Sequence, residues 1–284
     1  MAKTEAANEK QSARRPWALR QLPPFPAVAT KVLQLLAKED TPMRRIVDLI
    51  RTDPGFSAGI LRVANSALFG VTSTIETVRH AVVVVGLDRV KALTLTVALS
   101  CYLQAALRFP VLRRCWRHSL ACALLSEELA PACGCSSETA FTAGLLHDAG
   151  RLGLLVAHPA EYSNVLAVAE ETPSDILGVE EALFDIHHCQ AGRWLMNEWQ
   201  FPPEFHEVAA RHHQEPVPGQ SDLLLLVQLA CRLADTLGFE VVKPDRIWTL
   251  QEIAAALPDA GRERFHPDPE ALRVRLASII DSLD

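Results

Sequence analysis

Apolar residues recur three and four positions apart along most of the chain, and apolar–polar alternation never lasts beyond a few residues. That pattern predicts amphipathic helices and not half-buried strands. Val28, Val32, Leu33, Leu35 and Leu36 mark a first helix behind the segment Leu22-Pro23-Pro24-Phe25-Pro26. A second spans Met43–Arg51, with Ile46, Leu49 and Ile50 on one face. Asp53-Pro54 supplies an N-cap and a first-turn proline, opening a third helix that runs to about Leu68. Helices over 75–85 and 88–107 follow, broken at Gly86, and Phe109-Pro110 then punctuates the chain. Beyond it the spacing predicts helices near 111–130, 137–156, 159–170, 175–184, 187–199, 203–213 and 221–238. Segment 248–282 reads as two more around a loop at 258–269. The expected fold is all-α, an N-terminal helical bundle packed on a second helical core. The expected divisions are a disordered tail (1–15), a helical subdomain (16–108), a second subdomain (109–240) and a C-terminal helical extension (241–284).

Composition narrows the class. Of the 284 residues 49% are hydrophobic and 22% charged, enough for a real core, and the formal charge of -6 argues against general binding to a phosphate backbone. Nucleic acid is therefore not an expected partner. The seven cysteines include no CxxC pair, and Cys133-Gly134-Cys135 is too close for a usual zinc knuckle. They read as small core residues in a reducing cytoplasm, without a disulfide framework. The N-terminus has no apolar signal region, and Ala81–Gly86 and Leu223–Val227 fall far short of the roughly 20 residues that cross a bilayer.

Candidate chemistry centres on Gly144-Leu145-Leu146-His147-Asp148-Ala149-Gly150-Arg151-Leu152. Neighbours on one helix point about 100° apart, so His147 and Asp148 can approach one metal cluster from two angles. Ala143, Gly144 and Gly150 leave space beside the imidazole, while Asp148 lies between Leu145 and Leu152, where an unpaired carboxylate is costly. The plainer alternative pairs Asp148 with Arg151 or the local backbone and makes His147 a satisfied core residue. His118 has Ala121 and Cys122 one turn on, and His188 shares a face with Ala191, Gly192, Leu195 and Trp199. Only one of the adjacent His187 and His188 can easily face the core, so one of the two is expected to be idle. His212-His213 ends a helix, and Asp235 interrupts the apolar run Leu223–Phe239. This mixture of imidazole and carboxylate suits one or two divalent transition ions such as Fe, Mn, Zn or Co. The alternative is that His187, His188, His212 and His213 are surface histidines.

In that order, His118, His147-Asp148, His188, His212-His213 and Asp235 resemble the HD superfamily of metal-dependent phosphohydrolases, and most of all its HDOD branch, the HD-related output domain. The resemblance runs from about residue 20 to 240. Its first half rests on LPPFPAVATKVLQLL, RTDPGFSAGILRVANSALFG and TVRHAVVVVGLDRV, its second on GLLHDAGRLGL, HCQAGRWLMNEWQFP and the Arg211-His212-His213 helix end. It implies a helical bundle leading into an HD-like, metal-binding core, with His118, His147, Asp148, His188, His212, His213 and Asp235 as metal ligands. It also implies a bacterial cytoplasmic signalling or regulatory role, with a protein partner or a nucleotide ligand. The alternative it carries is an active phosphohydrolase acting on a nucleotide or cyclic dinucleotide. There His118, His147, Asp148 and Asp235 would hold one metal, His188, His212 and His213 the second, and Arg151 would steady a phosphate beside catalytic Asp148. The chain departs from the related HD-GYP phosphodiesterases. It reads HHQEPVPGQ where they carry Gly-Tyr-Pro, Arg114 where they carry a Glu ligand, and Arg151 where they carry Lys. Arginine keeps a fixed charge and a bidentate fork at that last position.

Overall fold

Side-chain caps set where many of the helices begin. Asp53, Thr77, Ser136, Asp175, Asp222 and Asp268 each accept a backbone N–H from the first turn that follows. The computed structural model describes residues 15–36, 41–71, 74–171, 175–244, 246–263 and 265–283, and they form helices without strands. The expected tail lies outside these residues except for Arg15, whose guanidinium donates to the carbonyls of Leu19 and Leu22.

The first bundle comprises α1 (Ala27–Leu36), α2 (Met43–Ile50), α3 (Pro54–Ala64), α4 (Val78–Val85) and α5 (Leu87–Leu103). Next come α6 (Pro110–Cys133), α7 (Ser137–Leu146), α8 (Ala149–Ala157), α9 (Pro159–Glu171) and α10 (Ile176–Phe184). α11 (His188–Glu198), α12 (Pro203–Arg211) and α13 (Leu223–Thr236) complete the second layer. α14 (Leu250–Ala256), the single turn α15 (Asp259–Arg262) and α16 (Pro269–Asp281) close the chain. Where a loop was expected at 258–269, α15 adds a turn. The third helix ends at Ala64, four residues early, because Asn65 leaves the helix and its side chain bonds Ile75 on both N–H and C=O.

α6 is the spine. α7 and α13 pack along it, α16 lies against its outer side through Arg117–Asp281 and Arg275–Glu128 pairs, and α5 reaches α7 from the first bundle. One apolar core runs through both halves, from Leu19 and Val32 to Leu120, Leu229 and Leu276. Among the described residues no helix is long and apolar enough to cross a membrane.

The main departure from expectation is the helix placed at 137–156. It is two helices, and the break falls on His147 and Asp148. His147 Nδ1 takes the Gly144 carbonyl at 2.7 Å, and Asp148 leaves helical geometry at φ -101°, ψ 19°. Two glycines hold the broken pair against its neighbours. A Cβ on Gly144 would meet the Cys122 carbonyl at 2.5 Å, and one on Gly150 would meet the His188 carbonyl at 1.9 Å and Gly192 N at 2.3 Å. Backbone atoms cannot swing aside as side-chain tips can. Gly150→Ala is thus expected to lower stability by roughly 1–3 kcal/mol or more, read as a lower urea midpoint. An unchanged midpoint would contradict the close crossing of α8 and α11.

Candidate metal centre

Four imidazoles reach the interior with the same nitrogen forward. His118 Nδ1 donates to the Phe239 carbonyl at 2.9 Å, His147 Nδ1 to the Gly144 carbonyl and His212 Nδ1 to the Ala209 carbonyl at 3.1 Å. His188 Nδ1 donates to Glu180 Oε2 at 2.6 Å. Carbonyl and carboxylate oxygens only accept, so each ring carries a proton on Nδ1, and in its neutral form it turns the Nε2 lone pair inward. Fixing the outer nitrogen in this way is how proteins orient imidazole ligands toward a metal.

The rings form a continuous row. Their centroids lie 5.3 Å apart from His118 to His147, 5.0 Å from His147 to His212 and 5.4 Å from His212 to His188. In the middle of the row, His147 Nε2, Asp148 Oδ1 and His212 Nε2 are buried and have no hydrogen-bond partner. Those three atoms lie within 4.8 Å of one another. Buried polar atoms are nearly always satisfied, and three orphans facing one another fit a divalent cation. Burial and the neighbouring His147 push the His212 pKa down to about 3, which keeps that ring neutral. Burial opposes the Asp148 charge, yet the Arg151 guanidinium holds its carboxyl well below the usual range.

Arg151 is the second feature of the centre. It is 3% exposed and spent internally: Nε on Asp148 Oδ2 at 2.6 Å, Nη1 on the Tyr162 hydroxyl at 3.2 Å, and Nη2 on His188 Nε2 at 3.1 Å. Tyr162 in turn donates to Glu180 Oε1. Arg151 therefore does not face outward as a free phosphate contact.

The other expected residues divide. His213 is exposed and its Nε2 sits 2.8 Å from His188 Nε2, so it closes the rim of the centre. Of the adjacent pair, His188 turns inward while His187 caps α11 through Gln190 N. Asp235 stands behind His118, its Oδ1 3.8 Å from Nδ1, and falls outside the converging donor groups. Burial, against the pull of His118, raises its pKa to about 6. Arg114 pairs with Glu170 on the outer side of α6. Sequence reasoning missed Glu180 and Tyr162, and it read Cys122 and Cys231 as core residues. Glu180 carried a signal, a carboxylate in the apolar stretch Ile176–Phe184, and the His118–Cys122 spacing of one helical turn carried another.

The HDOD domain family model matches residues 22–215. An uncharacterized protein of Treponema pallidum (strain Nichols) is 23% identical over 197 residues, 69% of this chain. The match covers 38% of that relative's own length. Among solved structures, a candidate signal transduction protein from Marinobacter aquaeolei VT8 superposes with a TM-score of 0.71 at 23% identity, over 92% of this chain and 60% of that one. A candidate metal-dependent phosphohydrolase from Shewanella amazonensis SB2B superposes with a TM-score of 0.62 at 25% identity, over 99% and 97%.

Glu180 compensates both His188 and Arg151 from full burial. Glu180→Gln is expected to cost about 3 kcal/mol or more in a denaturant titration, because it leaves a buried cation short of its partner. Glu170→Gln, which loosens only the exposed pair with Arg114, should stay within about 1 kcal/mol. Equal effects would contradict the central role of Glu180.

Proposed function

We propose, for a chain that belongs to the HDOD domain family, that it is a signalling or regulatory module whose buried centre holds a divalent transition-metal ion in a structural or ligand-sensing role. His147, Asp148 and His212 would hold the ion, and His188, kept in place by Glu180, would flank it. A bound ion would tie together α12 and the α7–α8 joint, and would offer Lewis acidity to an oxygen ligand that gained access. The observation that carries the regulatory reading is the placement of Arg151. Its guanidinium occupies the interior beside Asp148 and His188, and its donors are already engaged. A positive charge fixed there opposes a second divalent ion and leaves one face of the centre closed to a phosphoryl group. Surface cavities of about 310 Å³ and about 980 Å³ lie elsewhere, beside Phe69 and Phe141 and beside Arg44 and Arg79.

The second reading, a metal-dependent phosphohydrolase acting on a nucleotide or cyclic dinucleotide, is favoured by the retained row of inward-facing imidazoles. The likeness to the Shewanella protein, named a candidate metal-dependent phosphohydrolase, points the same way. It requires Arg151 to turn from Asp148 toward the incoming phosphate. A protein partner or a nucleotide ligand belongs to either reading.

Metal analysis of the purified chain, followed by hydrolysis assays on nucleotides and cyclic dinucleotides with added Mn²⁺ or Fe²⁺, separates the two. The regulatory reading expects retained metal, no turnover, and at least about a tenfold loss of metal affinity in Asp148→Asn. Turnover that Asp148→Asn abolishes would establish the enzyme instead.

A further inference from the structure

On the other side of His147 lies a group of donors that the His/Asp reading does not use. Cys122 Sγ is 3.7 Å from Cys231 Sγ and 3.4 Å from His118 Nε2. His147 Nε2 completes the group, and the four donor atoms lie within 4.8 Å of one another. A sulfur–sulfur separation of 3.7 Å is far beyond a disulfide bond of about 2.05 Å. It matches another geometry. Tetrahedral zinc with bonds of about 2.3 Å to sulfur and about 2.0–2.1 Å to nitrogen has edges of about 3.8 Å between sulfurs and about 3.5 Å between sulfur and nitrogen. The two separations fall within about 0.2 Å of those values.

The surroundings fit as well. All four residues are buried, and they come from α6, the α7–α8 joint and α13. His118 is oriented from behind by the Phe239 carbonyl, with Asp235 3.8 Å from the same nitrogen. That places Asp235 as an outer support of an imidazole ligand and not as a ligand itself.

We propose that His118, Cys122, His147 and Cys231 form a sulfur-bearing position for one thiophilic ion of the zinc class, adjoining the carboxylate position and competing with it for His147. Four protein donors saturate a tetrahedral ion, so this position has no place for water or substrate and is structural. On binding, each thiol loses its proton to the buffer and its sulfur donates an electron pair to the ion. One imidazole nitrogen serves one ion, so filling the sulfur position draws His147 away from Asp148 and His212. The inference rests on the reading above only in taking His147 as a ligand.

The test is Co²⁺ added to the full chain after chelator treatment, anaerobically and with reductant. The expected result is a sulfur-to-cobalt charge-transfer band in the near ultraviolet that saturates at one equivalent and is lost in Cys122→Ser/Cys231→Ser. X-ray absorption on the zinc-loaded wild-type chain provides a second reading independent of that variant's folding, expected to give two sulfur and two nitrogen neighbours. Cobalt bound without the band, or a zinc shell of nitrogen and oxygen only, overturns the sulfur position and leaves the carboxylate position standing. A band that survives in the folded double variant assigns the sulfur to another cysteine, such as Cys189, and also overturns it. No retained cobalt overturns both positions.

Discussion

A carboxylate 1% exposed at the joint of two helices has to be paired, and Asp148 is hydrogen-bonded on one oxygen only. Its Oδ2 accepts from Arg151, while its Oδ1 lies 3.6 Å from His212 Nε2 and 3.5 Å from His188 Nε2, with His147 Nε2 close by. Leaving such a group bare costs several kcal/mol, and removing it from water has to be repaid inside the protein. Much of the second layer serves that requirement. The chain breaks between α7 and α8 so that His147 and Asp148 can both face inward. Gly144 and Gly150 let α6 and α11 come close on either side, and backbone carbonyls fix the tautomers of three of the four inward imidazoles.

Arg151 sets the character of the centre. It carries a permanent charge into an interior where Coulomb interactions are strong, and it is balanced by Asp148 and Glu180, with Tyr162 joining them. The same carboxylate, Glu180, orients His188 through both its ring and its backbone N–H. The row of imidazoles is thus asymmetric. The end at His188 is occupied by a protein cation, the middle at His147 and Asp148 presents unpartnered oxygen and nitrogen, and the end at His118 presents sulfur.

The all-α class and most helix positions were legible because they depend on local periodicity and caps. Asp53-Pro54 announces α3 and Phe109-Pro110 announces α6 without any tertiary knowledge. The inward-facing histidines were legible from small residues at helical spacing. The break at His147 was not, since Leu145, Leu146, Leu152 and Leu154 keep a helical pattern across it and only the side-chain bond to the Gly144 carbonyl interrupts it. For Arg151 the sequence offers both a phosphate contact and a pair with Asp148; the pair is present, and the further partners that keep the guanidinium inside come from Tyr162, Glu180 and His188 on other elements. Cys122 and Cys231 looked like core residues for the same reason. They are 109 positions apart, and only the packing of α13 on α6 brings them together.

The central claim is that the orphaned atoms around His147 are a metal nest. Anomalous diffraction from crystals of the purified protein, collected on both sides of the absorption edge of the metal found in it, tests that claim most directly. An anomalous peak is expected at coordinating distance, roughly 2.0–2.3 Å, from His147 Nε2. Water bridging His147 Nε2, Asp148 Oδ1 and His212 Nε2, with no anomalous signal beside them, would contradict it.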